Sequence, residues 1–316
     1  MRALDFPLVG GGGEPIDLWR TLVSHGLTEL PPFRVDEDAR TLEVTLALDG
    51  GARTVRIAAA GECGGTIEAV GRPLSARHAE AALGVVRKML RLDEDLSSFY
   101  ARTAEDPDLA WAAAGAGRLL RSPTVFEDVV KTICTTNCSW GATKRMVGAL
   151  VGELGAEAPG GGRAFPDPVA MAEAGDEWYR GVARAGYRGA YLRSLAASVA
   201  EGALDLEELA GTDPADLPDD DVEARLLALP GVGPYAAAHV MLLLGRYSRL
   251  VLDSWTRPKY ARVLGRRRVS DAAIHRRFRR YREFAGLAFW LVLTRDWVTD
   301  EEELAAQDST GCGTNA

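Results

Sequence analysis

Residues 218–257, PDDDVEARLLALPGVGPYAAAHVMLLLGRYSRLVLDSWTR, constrain the chain more than any other stretch. The acidic run Asp219 to Asp221 suits the positive end of a helix, and Val222, Leu226, Leu227 and Leu229 follow at helical spacing. Pro230, Gly231 and Gly233 break that helix. Pro234 fits the first position of the next, where a fixed φ and a missing N–H do no harm. An apolar second helix then runs from Tyr235 to Leu244, with Gly245 placed to end it. Two glycines in a short turn let backbone approach a ligand, and the helix starting there has unpaired N–H groups, so the turn is a ready anion site. LPGVG alone reads first as an ordinary αα-hairpin with a glycine turn. Asp253, eighteen residues beyond Tyr235, tips the balance.

LPGVGPYAAAHVMLLLG followed by VLDSW resembles the hairpin and aspartate of the helix-hairpin-helix DNA glycosylase superfamily, in its 3-methyladenine glycosylase II and 8-oxoguanine glycosylase branch. The likeness extends over roughly residues 5–298. It implies an α+β fold: an N-terminal antiparallel sheet domain, 1–75, and a helical body, 76–305, holding the hairpin at 222–245. Residues 306–316 read as a disordered tail.

In the sheet domain, PIDLWRTLVSHGLTEL (15–30) reads as a short amphipathic helix. Thr41 to Ala58 alternates as two strands joined by Asp49-Gly50-Gly51, and another strand is expected near Gly65–Gly71. His25 reads as a surface or packed histidine. Helices follow from Ser75. Ser122 and Pro123 are expected to open one whose apolar face is Phe126, Val129, Val130 and Ile133. It breaks at CTTNCSWGATKRM, and the Gly160–Gly162 run is a loop. Residues 165–202 give a helix, a stop at Gly186 and a second helix.

Net charge is −8, yet Arg246 to Arg282 holds thirteen Lys or Arg against Asp253 and Asp271, a segment of +11 on a body of −19. That is either a nucleic-acid footprint or a solvated arginine-rich surface. The four cysteines, Cys63, Cys134, Cys138 and Cys312, are scattered, so neither a zinc site nor an iron–sulfur cluster is expected. No apolar run spans a membrane, and a reduced cytoplasmic protein, nucleoid-associated through DNA, fits this cysteine usage.

The resemblance makes Asp253 the catalytic residue, a carboxylate stabilising the sugar as the base departs. Its plainer reading is a helix cap, and both roles are compatible. It assigns DNA contacts to Gly231, Gly233 and Pro234 at the turn, to Asn137 as the residue filling the gap left by an extruded base, and to Arg188 within GYRGAYL as reader of the opposite base. Lys144 is added as a phosphate contact and Arg257 as a further DNA contact. Tyr235, His239 and Tyr281 match base-pocket positions, with Trp255 beside them. The carbonyls of Leu227, Leu229 and Val232 match those holding a sodium or potassium ion in the family. Bifunctional members carry a lysine at the position of Tyr235. A phenol forms no Schiff base, so the expectation is a monofunctional hydrolase needing no cofactor. The expected substrate is alkylated purine. An 8-oxoguanine-type enzyme or a non-catalytic damage-binding protein are the alternatives, and double-stranded DNA bound by a monomer is the expected partnership.

Overall fold

The computed structural model describes residues 3–61, 63–211 and 214–298. The expected 306–316 tail lies outside the described residues. The fold is α+β, as the sequence implies: a five-stranded antiparallel sheet followed by helices.

The sheet contains β1 (Ala3–Pro7), β2 (Phe33–Asp36), β3 (Thr41–Leu46), β4 (Arg53–Ala60) and β5 (Gly64–Val70) in the order β1-β5-β4-β3-β2. The alternation marked β3 and β4. Gly50 and Gly51, at φ 87° and 115°, make the turn before β4 in a conformation L side chains resist. The edge strands β1 and β2 are too short to show a period and were not read from the sequence. In register, Glu43 faces Arg34 on one side and Arg56 on the other, and accepts hydrogen bonds from both. Thr45 and Thr54 share a hydrogen bond of 2.8 Å on the same sheet.

The sheet's apolar residues form one core with Leu18, Leu22, Ala79, Ala82, Val86, Met89 and Leu120. The helix Ala76–Met89 therefore belongs to the core of the sheet, and a division at residue 75 falls inside a single apolar cluster. The expected helix over 15–30 is a short α-helix, Leu18–Leu22, and a 3-10 turn, Gly26–Glu29. Its break brings Gly26 and Glu29 toward the body.

The second core gathers the helical body around Pro234–Leu243 and Ala285–Thr294, both apolar on nearly every side. The helix expected at Ser122 starts later, as Val125–Thr135. Thr124 is its cap and accepts from the Glu127 N–H at 3.1 Å. Phe126, Val129, Val130 and Ile133 are buried, as the spacing requires. Lys131 on that helix is also wholly buried. Its ammonium pairs with Glu127 at 2.6 Å and lies 3.9 Å from the centre of the Phe33 ring, joining body to sheet.

A second buried ion pair ties the N-terminal loop to the body. The guanidinium of Arg118, inaccessible to solvent, donates to Glu14 and to the Glu94 carbonyl, while Glu14 also accepts from the Leu96 N–H at 2.8 Å. Burial pushes the Glu14 carboxyl up, but the Leu96 N–H and Arg118 outweigh it and hold it below the usual glutamate value. Glu14 therefore stabilises the fold above the carboxyl's unfolded pKa, and the contribution is lost as pH falls through the lowered folded value. Glu14→Gln strands the Arg118 charge and is expected to remove about 3 kcal/mol of stability at pH 7. Urea unfolding should show the gap to wild type closing as the solution is acidified. A gap constant from pH 7 to 3 would show that the ion pair is not its origin.

Candidate active site

The hairpin forms as its sequence dictates. Helix Asp219–Leu227 begins with three aspartates in its first turn, and Pro234–Leu243 begins on its proline. Between them Gly231 stands at φ 83°, and a Cβ there would meet the Tyr191 ring at 2.7 Å. Gly233 is different. Its φ is −104°, and a Cβ added there would meet nothing within 4 Å. Gly231 shapes the turn, while Gly233 leaves open space in front of it. Among the described residues, no carbonyl accepts from the N–H groups of Gly231, Gly233 or Tyr235, and Pro234 has none. Unpaired amides at a helix start beside open space suit a phosphate oxygen. Leu227 and Val232 keep carbonyls without donors among the described residues, while the Leu229 carbonyl accepts from the Val232 N–H at 3.2 Å. Two of the three expected cation ligands are thus wholly uncommitted among the described residues, and the Leu229 carbonyl keeps its second lone pair.

Asp253 follows the extended run 250–252, which is not a strand, and precedes the helix Thr256–Val263. Its Oδ1 accepts from the N–H groups of Trp255 at 2.8 Å and Thr256 at 2.6 Å, and its own N–H donates to Thr256 Oγ1 at 2.8 Å. The capping role is real, and it employs one carboxylate oxygen. Among the described residues nothing donates to Oδ2. Asp253 lines a cavity of about 370 Å³ together with Tyr235, His239 and Trp255. Four residues expected at one site are brought together, Tyr235 and His239 from the hairpin's second helix and Asp253 and Trp255 from the segment beyond it.

Tyr235 donates to or accepts from Thr135 at 3.1 Å, and burial together with the nearby Asp253 charge raises its phenol. Trp255, 37% exposed, packs its ring at 5.9 Å from Trp290 and 5.7 Å from Trp297. His239 is buried against Trp290 and Tyr235, and burial lowers it to about 4.

Tyr281 is not at the cavity. It is 2% exposed, its hydroxyl donates to Asp106, and its ring packs against Phe278 at 5.8 Å. Its expected pocket role is therefore corrected to a core role: two arginines, Arg277 and Arg280, lie over the ring and bind its hydroxyl. Trp290, Trp297, Trp140, Cys138 and Glu29 line the cavity and were not anticipated. They come from segments far apart in sequence, so no spacing could have announced them; the only hint was the count of seven tryptophans.

The residues expected on DNA lie unevenly. Asn137 is exposed at φ 47°, just past the end of helix Val125–Thr135, and its Nδ2 approaches the Tyr187 hydroxyl at 3.4 Å. Asparagine tolerates that left-handed backbone better than most residues. Arg188 is turned inward: 7% exposed, it donates to the Thr136 carbonyl from Nε at 3.0 Å and stacks on Tyr187. It braces the Asn137 loop rather than presenting its guanidinium to solvent. Lys144 pairs with Glu29 at 2.6 Å, and Arg257 is held in both directions by Asp271 at 2.7 and 2.9 Å.

The basic segment is correspondingly divided. Arg246 and Arg249 are paired with the hairpin acids Asp219 and Glu223, Lys259 with Asp296 and Arg277 with Asp108. Arg262, Arg266, Arg267 and Arg268 have no such partner among the described residues and lie at or after the end of helix Thr256–Val263. Among the described residues no cluster of three or more metal-binding side chains occurs, and no helix is long and apolar enough to cross a membrane.

The overall fold is similar to that of solved DNA glycosylases. Structures similar to this chain include the 3-methyladenine DNA glycosylase of Archaeoglobus fulgidus, 22% identical, with TM-score 0.68 over 94% of this chain and 100% of that one. MBOgg1 in complex with a low-affinity DNA ligand is 20% identical, with TM-score 0.70 over 94% and 96%. The apo form of the Clostridium acetobutylicum 8-oxoguanine glycosylase/lyase is 18% identical, with TM-score 0.65 over 93% and 96%. Neither a family model nor a curated protein sequence matches the chain. At these identities the likeness establishes the glycosylase fold.

The two glycines of the turn should separate experimentally. Gly231→Ala forces a side chain into left-handed backbone and against Tyr191, and is expected to cost about 1–2 kcal/mol in thermal unfolding. Gly233→Ala should leave the melting temperature within about 1 °C, since surface changes without strain are near neutral. Equal destabilisation by both would contradict the division of roles.

Proposed function

We propose that the protein is a monofunctional DNA glycosylase that extrudes a damaged base from duplex DNA and hydrolyses its N-glycosidic bond, with alkylated purines as the preferred substrates. The observation that carries this reading is Asp253: a carboxylate with one oxygen fixed by two backbone N–H groups, lining an aromatic cavity next to a turn of unpaired amides.

The turn would hold the strand by its phosphate, without reading sequence. A sodium or potassium ion on the carbonyls of Leu227, Leu229 and Val232 would add a positive charge for the same phosphate. With the nucleotide extruded, the base enters the cavity and the deoxyribose stands at Asp253. As the C1′–N bond breaks, its electron pair leaves with the base, and the sugar becomes cation-like. The anchored carboxylate stabilises that charge without reorganising. Water adds to C1′, and its proton passes to the carboxylate. A base already cationic through alkylation departs neutral and needs no proton donor. Tyr235 offers no amine, so the product is an intact strand with an abasic site.

The cavity favours alkylated bases. Trp140, Tyr235, Trp255, Trp290 and Trp297 supply ring faces, and among the described residues its charged groups are Glu29 and Asp253, both acidic. Glu29 is neutralised by Lys144, which leaves ring faces and the Asp253 carboxylate, a combination that suits a positively charged base. Asn137, exposed beside Tyr187, favours the 8-oxoguanine reading instead, because asparagine fills the gap in that branch.

Duplexes carrying single alkylated, oxidised or deaminated bases, treated with and without hot alkali, test both readings. Base release from alkylated duplex, with breakage only after alkali, is expected. Asp253→Asn should lower release by at least about 100-fold while DNA affinity is kept. Binding without release by the unmutated protein would identify a damage-binding protein, and a nick without alkali would contradict the hydrolytic reading.

A further inference from the structure

His239 is poorly explained by packing. It sits one turn after Tyr235 on Pro234–Leu243, is 5% exposed, and lines the cavity. Among the described residues neither of its ring nitrogens has a hydrogen-bond partner. Its neighbours are rings: Tyr235 at 6.0 Å, Trp290 at 5.9 Å and His25 at 5.9 Å, the last two edge to face. His25 cannot serve as partner through Nε2, which is bound to the Leu120 carbonyl at 2.6 Å. Burial holds His239 neutral, so it carries one N–H and one lone pair, both unused. Polar atoms buried without partners destabilise a fold, and a phenylalanine would fill the place without that penalty.

Several polar groups around His239 are already committed. The hydroxyls of Tyr235 and Thr135 bind each other, the Cys138 thiol is directed to the Cys134 carbonyl and Thr143, and Asp253 Oδ1 caps its helix. We infer that His239 reads the hydrogen-bonding edge of the extruded base, so that the site prefers alkylated purines keeping a free exocyclic amino or keto group over those in which that edge is blocked. This rests on the glycosylase reading and adds to it a specificity-determining residue. Stacking on tryptophan accepts any flat base, whereas a buried group built to hydrogen-bond rejects a ligand that leaves it unpaired.

The test uses the full chain, methylated duplex DNA, and two free bases as competitive inhibitors: 3-methyladenine and the same base with its amino group dimethylated. Wild type should prefer 3-methyladenine by at least about tenfold. His239→Phe should lose that preference and release base at least about tenfold more slowly, with an unchanged or higher melting temperature. His239→Gln, which restores a donor and an acceptor, should recover most of the rate. Equal inhibition of wild type by the two bases would overturn the inference, as would a wild-type rate in His239→Phe. Should the phenylalanine variant not fold, the wild-type preference and the glutamine variant decide. If wild type released no base from any duplex, the glycosylase reading would fall first and the inference with it; release by wild type without the inhibitor preference isolates failure of the inference alone.

Discussion

The position of one carboxylate depends on three short hydrogen bonds. Asp253 Oδ1 takes the N–H groups of Trp255 and Thr256, and Thr256 Oγ1 takes the N–H of Asp253 in return. Thr256 is itself fully buried, so the arrangement is anchored to the core. A charge fixed in this way cannot swing toward water or a neighbouring arginine. It stays beside the cavity with its second oxygen free of donors among the described residues, which is the condition for stabilising a transient positive charge without prior reorganisation. The helix cap and the proposed chemistry are therefore one feature.

The helices beneath this carboxylate are buried and mostly apolar. The helices Pro234–Leu243 and Ala285–Thr294 are buried on nearly all sides and supply the cavity floor from His239 and Trp290. The rim is assembled from three distant segments. Glu29, from the sheet domain, binds both Lys144 and the Trp140 indole N–H at 3.2 Å, holding a tryptophan at the mouth. Arg188 fastens the Thr136 carbonyl and so positions the loop bearing Asn137. Polar and charged groups thus set the shape of the entrance, while aromatic rings set what fits inside.

What the sequence revealed divides by range. The hairpin was legible because proline, glycine and helical periodicity act within a few residues of one another. Asp253 was legible because it lies close to that hairpin. Strands β3 and β4 alternate over enough residues to be seen; β1 and β2 do not. Helix Ala76–Met89 was readable as a helix, but its choice of the sheet core depends on where the sheet ends up. Tyr281 was misplaced for a similar reason: Asp106, its partner, is 175 residues away in sequence. The tryptophans of the cavity come together only through packing of the two cores. Lys144 and Arg257 looked free because their acidic partners, Glu29 and Asp271, lie beyond a helical turn.

The central claim is that the Asp253 carboxylate faces a sugar that becomes positively charged. A duplex in which one deoxyribose is replaced by a protonated pyrrolidine mimics that charge, and a neutral tetrahydrofuran duplex is its control. Wild type should bind the cationic duplex at least about 100-fold more tightly than the neutral one, and Asp253→Asn should erase the difference. Equal affinity of wild type for the two duplexes, or a preference surviving in Asp253→Asn, would contradict the account.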